Sequence, residues 1–552
     1  MTMAVAFKQF EQLTFADIEV YSVLPEHPIW SKVEELVDFS FADRICAHLY
    51  SSRGPKPYAP SIKFKLHVIQ RYYNLSDREM EERVIGDLFI KRFLGVPVSF
   101  MGFDHSTIGL DRDRLGSALF DACHHHILAQ AKQKGLWGDN KDVWIVDSFV
   151  TQGNAVYRSS YRLIKHAFVR VLNHLKRSYR QLFDRAHTEL DLRPLTAKLP
   201  PDATPEDLAV AFSQLVLMAY ELLHWFEKDS IRDLFWTWSY PERRLVSLEH
   251  QAILFQILME NAYPEDPNDP HVPYKKIERK KRLKDRVGSA VDPEKRNGAK
   301  SKTVQFFGDK VQVVISETNG IVLNAEPIAG NEPDGERLQE LVSAVMKEHN
   351  AKPEYVLGDS AYGYGAHRKA LTKEGMQLVA PLKSVGVNAK GLMSSDLFHY
   401  DLETESVTCP QGQVTTQAHD MRGELGKQYI FAKSQCKNCP VRTECTTSKK
   451  TGRTIFISDY YAEFKQAEVF NATDEGKTLL QKRANIERKC NEMKNHNGLG
   501  RTRLRSREKR RIDTKIVAAV TNLKQIVKHA QGSLTLSFQR KRGSGQLRAF
   551  SG

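Results

Sequence analysis

A multidomain α/β protein is what this sequence predicts, and three observations carry the prediction. The chain has 552 residues, enough for three or four domains at about 150 residues each. Two short apolar runs, 143–147 (VWIVD) and 354–359 (EYVLGD), each end in aspartate, as a buried strand does where it meets a turn. Between and around them, helical periodicity alternates with a strand pair joined by an Asn-Gly turn signal, the order of a mixed sheet covered by helices. Hydrophobic residues at 41% and charged residues at 27% supply a core and exclude whole-chain disorder.

The elements follow in order. Residues 1–135 read as all-helical. Pro60 to Asn74 places apolar residues at helical spacing, and Ser76-Asp77-Arg78-Glu79 is a capping box opening a run that ends at Gly95. The stretch from Asp104 to about Lys134 is helical again. Two capped helices with a tight junction suit a helix-turn-helix type of DNA-binding domain, although plain helix packing gives the same pattern. Residues 136–160 hold the first strand. Residues 161–300 form a helical insertion closing on a basic segment, Lys275 to Arg286, with eight basic and two acidic residues. Its most apolar window, Leu208 to Phe226, contains Ser213, Gln214, Glu221 and His224 and follows a Thr204-Pro205-Glu206-Asp207 cap. That is a buried helix of a globular domain rather than a membrane span.

Residues 301–383 return to the sheet, with strands expected at 303–316 and 321–328, a helix from Asp334 to His349 and the second Asp-terminated strand. Residues 384–460 hold a cysteine cluster among short β-like pieces. Residues 461–530 are helical, with one long pattern from Lys477 to Asn495 and a last helix from Thr514 to Ala530. The polar stretch 531–552 is expected to be a disordered tail.

Charge narrows the function. Lys and Arg number 81 against 67 Asp and Glu, a formal net charge of +14, which favours a polyanionic partner. The surplus concentrates near the C-terminus. Arg501, Arg503, Arg505, Arg507, Lys509, Arg510 and Arg511 place seven cations in eleven positions, the composition of a DNA-backbone contact, with a solvated charged face as the alternative. The N-terminal segment has no signal-peptide core, so export is not expected. Nucleotide-binding glycine motifs are absent, so no ATP is expected to drive the reaction.

Seven cysteines are an odd number, and four fall at 409, 436, 439 and 445, a metal-site distribution rather than a disulfide framework. A reducing cytoplasm follows. Cys409, Cys436, Cys439 and Cys445, one distant Cys followed by C-x2-C-x5-C, have spacing that suits one structural Zn2+ holding together a small insertion. Reduced, unligated thiols are the alternative. Cys123-His124-His125-His126 has poor ligand geometry, because consecutive helical residues fan about 100° apart, and it reads as ordinary histidines.

Asp147 and Asp359 end strands, and Glu487 lies in a helical run with Arg483 four residues before it, Arg488 beside it and Lys494 seven after it. An acid at a strand end also simply begins a turn, and a charged helix face is also simply solvated. Together, however, carboxylates from two strand ends and one helix can hold two divalent ions roughly 3.5–4 Å apart for phosphoryl transfer. Hard oxygen donors suit Mg2+ or Mn2+.

These motifs resemble those of the DDE transposases of bacterial insertion sequences. Val146-Asp147-Ser148 matches the first acid, the segment 358–363 (GDSAYG) the second, and Glu487 with Lys494 the helical acid and its basic residue. Phe306-Phe307-Gly308-Asp309-Lys310 stands where such cores carry Gly-Tyr-Lys, one position departing. Tyr58 to Arg114 resembles the helical domain ahead of the core, and Gly498 to Lys524 its C-terminal part. The cysteine pattern resembles that of one subgroup. The interval from 359 to 487 exceeds a minimal core and implies an inserted domain.

The resemblance covers about residues 35–530 and implies an RNase H-like mixed sheet. It implies a DNA transposase in which Asp147, Asp359 and Glu487 bind two Mg2+ ions while Lys494 and Arg488 contact phosphate. The implied partner is double-stranded DNA, both element terminal inverted repeats and target, bound by a homodimer at the nucleoid. A catalytically inactive DNA-binding derivative and a nuclease without strand transfer remain the alternatives.

Overall fold

The computed structural model describes residues 7, 8, 10 and 13–545. It omits 52, 139–141, 154, 197–201, 238–239, 270–272, 302, 383–390 and 422–424, and side chains are described only as far as 532. The fold is mixed α/β, as the sequence predicts, with a helical N-terminal region.

Six strands form the main sheet: β1 (Val143–Gln152), β2 (Arg296–Ala299), β3 (Gln305–Ser316), β4 (Val322–Ala329), β5 (Tyr355–Leu357) and β6 (Gln377–Val379). The order is β2-β3-β1-β5-β6, with β4 also paired to β3. β3 is antiparallel to β1, and β5 runs parallel to β1 with Leu357 opposite Ile145. The β3–β4 hairpin turns where the Asn-Gly signal lies, and Gly320 takes the left-handed φ of +64° that such a turn requires.

Alternation along β1 splits the core in two. Trp144 and Val146 face the side covered by the N-terminal helices, α1 (His105–Gln133), α2 (Leu338–His349) and the last helix. Ile145 and Phe149 face the opposite side, with Val313, Ile486, Cys490 and Met493. The first of these cores runs without interruption from Trp30 through Phe120 to Val356 and Ile516, so the N-terminal helices and the sheet share one hydrophobic interior. The capping box at Ser76 forms as its sequence predicts, and Gly95 closes the run with a left-handed cap.

The helical insertion has a core of its own, built on Phe168, Leu215, Trp225, Leu254 and their neighbours. Helix Pro205–Glu227 is long and apolar enough to cross a membrane, yet Leu215, Val216, Ala219 and Leu222 are wholly enclosed by that core. Thr204 caps it through Asp207.

Beyond the sheet, two small three-stranded sheets form the cysteine module, with the thiols in the turns and short helices that connect their strands. The long helix expected over 477–495 is instead three pieces: Asp474–Lys482, α3 (Asn485–Asn491) and a π-helical turn, Glu492–His496. The last helix, α4, spans Arg507–Gly545 and so continues into the stretch read as a tail. Residues 546–552 lie outside the described residues.

Candidate active site

Register places the first two acids. Leu357 pairs with Ile145, and two further residues of parallel chain set Asp359 level with Asp147 on the same face. β5 ends at Leu357, so β1 has an open flank there. The strand expected to end at Asp147 continues to Gln152, held by its pairing with β3, so Asp147 lies mid-strand opposite Val313 rather than at a turn. Its carboxylate accepts the Ser148 N–H at 2.7 Å, and Asp359, two residues past β5, accepts the Ala361 N–H at 2.8 Å. Burial pushes the Asp147 carboxyl up to about 6; neighbouring Asp359 and Asp334 add to the rise, while the Ser148 N–H and Arg483 oppose it.

Glu487 arrives from the helical side. Ile486 and Cys490 of α3 plug into the core beneath β1, which turns exposed Glu487 toward the rim of the same face. The Cys490 thiol records the convergence: burial raises its pKa, and the charges of Asp147 and Glu487 raise it further. The broken helix carries Lys494 on the π turn, a feature recurrent at functional sites because it re-aims side chains within a helix.

Lys494 lines a cavity of about 940 Å3 with Lys300, Arg501 and Arg503. Phe306, Asn74, Gln152 and Asn495 also line it, and among the described residues no carboxylate does. Gly500 and Thr502 hold the cavity to the end of β1 by hydrogen bonds with Gln152, at 2.9 Å each. Arg488 points elsewhere, into a cleft shared with Tyr72, His496 and Lys524.

The basic tract divides in two. Arg501, Arg503, Arg505 and Arg507 are exposed at alternate positions. Lys509 pairs with Asp113 at 2.7 Å, and Arg511 with Glu326 at 3.1 Å. Arg510 is only 2% exposed and is bound by Asp292 and Asp309 at 2.7 Å each. A guanidinium enclosed by two buried carboxylates has no path to a phosphate, so the expectation of DNA contact is corrected at Arg510: distant acids, invisible in a local charge count, draw it inside.

The four cysteines of the insertion come together. Burial raises the Cys445 thiol pKa, and Cys436, Cys439 and Cys409 all act on it in the same direction, against Arg453. Cys409 Sγ accepts the Gln413 N–H at 3.3 Å in a tight turn closed by Gly412. Among the described residues, the hydrophobic core of this module is a small cluster of six buried members, Phe398, Val407, Tyr429, Phe431, Cys445 and Ile455. Donor chemistry and a thin core both fit a structural zinc.

Neither donor set is closed up. Among the described residues, trios with ligand atoms all within 4.8 Å are Asp121/His124/His125, His125/Glu348/His349 and Glu81/Asp104/His105. For the acids, a spread arrangement suits two ions better than one tight cage. His124 is fully buried against Asn522, and His125 faces Glu348, so these two histidines serve packing and pairing.

One residue of the acid site escaped the sequence reading. Asp334, in the loop before α2, accepts the Ser148 hydroxyl at 2.8 Å and the Lys310 ammonium at 2.5 Å. The sequence places Asp334 at the start of a helix running to His349, whereas α2 begins only at Leu338 and leaves Asp334 in the loop before it.

Comparisons with known proteins agree with this architecture. A family model described as Transposase DDE domain matches residues 408–527, spanning the cysteine module, Glu487 and most of the described part of α4. A second, Transposase domain (DUF772), matches residues 18–114 in the N-terminal helices. No curated protein matches the chain. A transposase domain model over the N-terminal helices and a DDE domain model over the C-terminal part together support a DDE transposase of the insertion-sequence type.

Proposed function

We propose that this transposase cuts DNA at the ends of its insertion sequence and joins those ends to target DNA, using Asp147, Asp359 and Glu487. The observation that carries the reading is the placement of these acids on one face of the sheet, beside a cavity lined by Lys300, Lys494, Arg501 and Arg503. Burial and neighbouring Asp359 raise the Asp147 carboxyl pKa, and carboxylates gathered in this way are a donor set for divalent cations, which the family uses. Two Mg2+ or Mn2+ ions, when bound, would supply Lewis-acid stabilisation of the attacked phosphodiester.

The protein's own residues do the positioning. Lys494, Arg501 and Arg503 hold the phosphates flanking the cut, and Arg488 holds backbone further out, along its own cleft. In cleavage, a water oxygen bonds to phosphorus as the P–O3′ bond breaks, leaving a 5′-phosphate and a protonated 3′-hydroxyl. In joining, that 3′-oxygen attacks a target phosphorus in line and the target's 3′-oxygen leaves with a proton. The N-terminal helices read the terminal repeats, the cysteine module is a zinc-stapled insertion, and the working form is a homodimer on nucleoid DNA.

The test is a labelled duplex carrying one element end, incubated with purified protein and Mg2+ or Mn2+. Nicked and joined products are expected from the wild type, and neither from Asp147→Asn. Nicks without joined products would assign the chain to the nucleases. Equal cutting by Asp147→Asn would remove the acids from the reaction.

A further inference from the structure

The chain leaves β1 at Gln152, on the wall of the basic cavity, and enters helix Ser160–Ser178 of the insertion eight residues later. Tyr157, in the connection, packs edge-on against Phe307 with ring centres 5.5 Å apart, and Phe307 adjoins Phe306 of the cavity wall. The helix therefore starts beside the cavity. It carries Arg162, Lys165, Arg170, Lys176 and Arg177 and no acidic residue. At 3.6 residues per turn these five fall within about 140° of one face. Ile164, Phe168, Val171 and Leu175, on the other side, fill the core of the insertion.

The five cations are left uncancelled. Among the described residues none of them forms an ion pair, whereas on the following helix Arg180 pairs with Asp184 at 3.0 Å and Arg185 with Glu189 at 2.7 Å. Arg170 donates to the His250 ring at 2.6 Å rather than to a carboxylate. Burial, with Arg170 adding to it, pushes the His250 pKa down to about 4, so that ring stays neutral. Arg162 and Lys165, three positions apart, repel each other. Burial also holds the Arg170 guanidinium below its usual range, and the charge of Arg505 depresses it further, against Glu249. Arg505 belongs to the exposed arginine series that begins at the cavity with Arg501 and Arg503, so the helix lies within electrostatic reach of that series.

We propose that helix Ser160–Ser178 is a DNA-backbone contact of the insertion, its basic face extending the arginine track outward from the cavity along the same duplex. The inference rests on the reading of the cavity cations as phosphate holders. A helix of 19 residues is roughly 28 Å long, which spans about eight base pairs.

The experiment measures affinity of the full-length protein for a duplex carrying one element end, over a salt series, with melting followed by circular dichroism. Replacing Arg162, Lys176 and Arg177, all exposed, by Gln should flatten the slope of log affinity against log salt by about 2–3 units. Arg180→Gln, on the paired helix, should leave the slope unchanged. If the triple variant melts early, lysine acetylation of the wild type decides: bound duplex should protect Lys165 and Lys176 several-fold and leave exposed Lys228 reactive. A triple variant with an unaltered slope, or equal labelling with and without duplex, overturns the proposal. If Arg503→Gln flattens the slope while the triple variant does not, the proposal falls and the cavity reading stands. An unaltered slope in Arg503→Gln fails that reading itself. Protein that binds through this helix but leaves element ends uncut counts against the proposed function and leaves the contact standing.

Discussion

The acid site and the cysteine module gather their donors over very different lengths of chain. Asp147 lies mid-strand in β1, Asp359 just past the end of β5 and Glu487 on a helix, so their convergence needs the sheet, the parallel β1–β5 register and the docking of α3. The cysteines all fall between 409 and 445, within one module whose core is six residues. The acid set thus depends on long-range packing and the thiol set on local turns. Loss of a donor should follow the same division: at the acid site it removes chemistry from an intact fold, whereas in the module it removes the fold itself.

The largest effect expected is on catalysis. Asp147→Asn, Asp359→Asn or Glu487→Gln should each lower end cleavage by at least ~10³-fold, with melting temperature and duplex affinity held. A loss of cooperative melting in any of them would break the comparison from the acid side.

Next comes the module. Cys436→Ser should lose one zinc per chain by elemental analysis and expose residues 395–458 to protease, while the main sheet stays protected. Zinc-free wild-type protein, purified without chelator, would remove zinc from the account.

The basic tract repeats the contrast on a smaller scale. Arg510→Met leaves Asp292 and Asp309 with Lys295 as their remaining buried cation, and should destabilise the chain by about 3–5 kcal/mol in denaturant melts. Arg503→Gln should leave stability alone and flatten the slope of log affinity against log salt by about 0.9. Equal behaviour of the two arginines would erase the distinction between the halves of the tract.

What the sequence revealed follows the same physics. Local signals were legible: the Ser76 and Thr204 caps, the Asn319-Gly320 turn and the apolar runs of β1 and β5 all involve neighbours in the chain. Asp147 and Asp359 stand out because an apolar run ends in each, although β1 itself continues to Gln152, and Glu487 because of the cations around it. Arg510 was misread because its partner Asp292 lies 218 positions away. Asp334 was missed because its partners Ser148 and Lys310 lie on other strands. The break at Arg483 and the π turn carry no proline or glycine to announce them; they are imposed by packing against β1 and by the loop that returns to Gln152.

The last helix has a consequence for how the protein is made. Arg510, Asp513 and Lys515 of α4 are sealed from solvent, and they pair with Asp292 and Asp309, with Arg71, and with Asp121 and Glu326. All of those partners leave the ribosome first. A nascent chain therefore carries half-built charge pairs at its centre until α4 is translated, and earlier parts of the chain settle their interior only once it is in place.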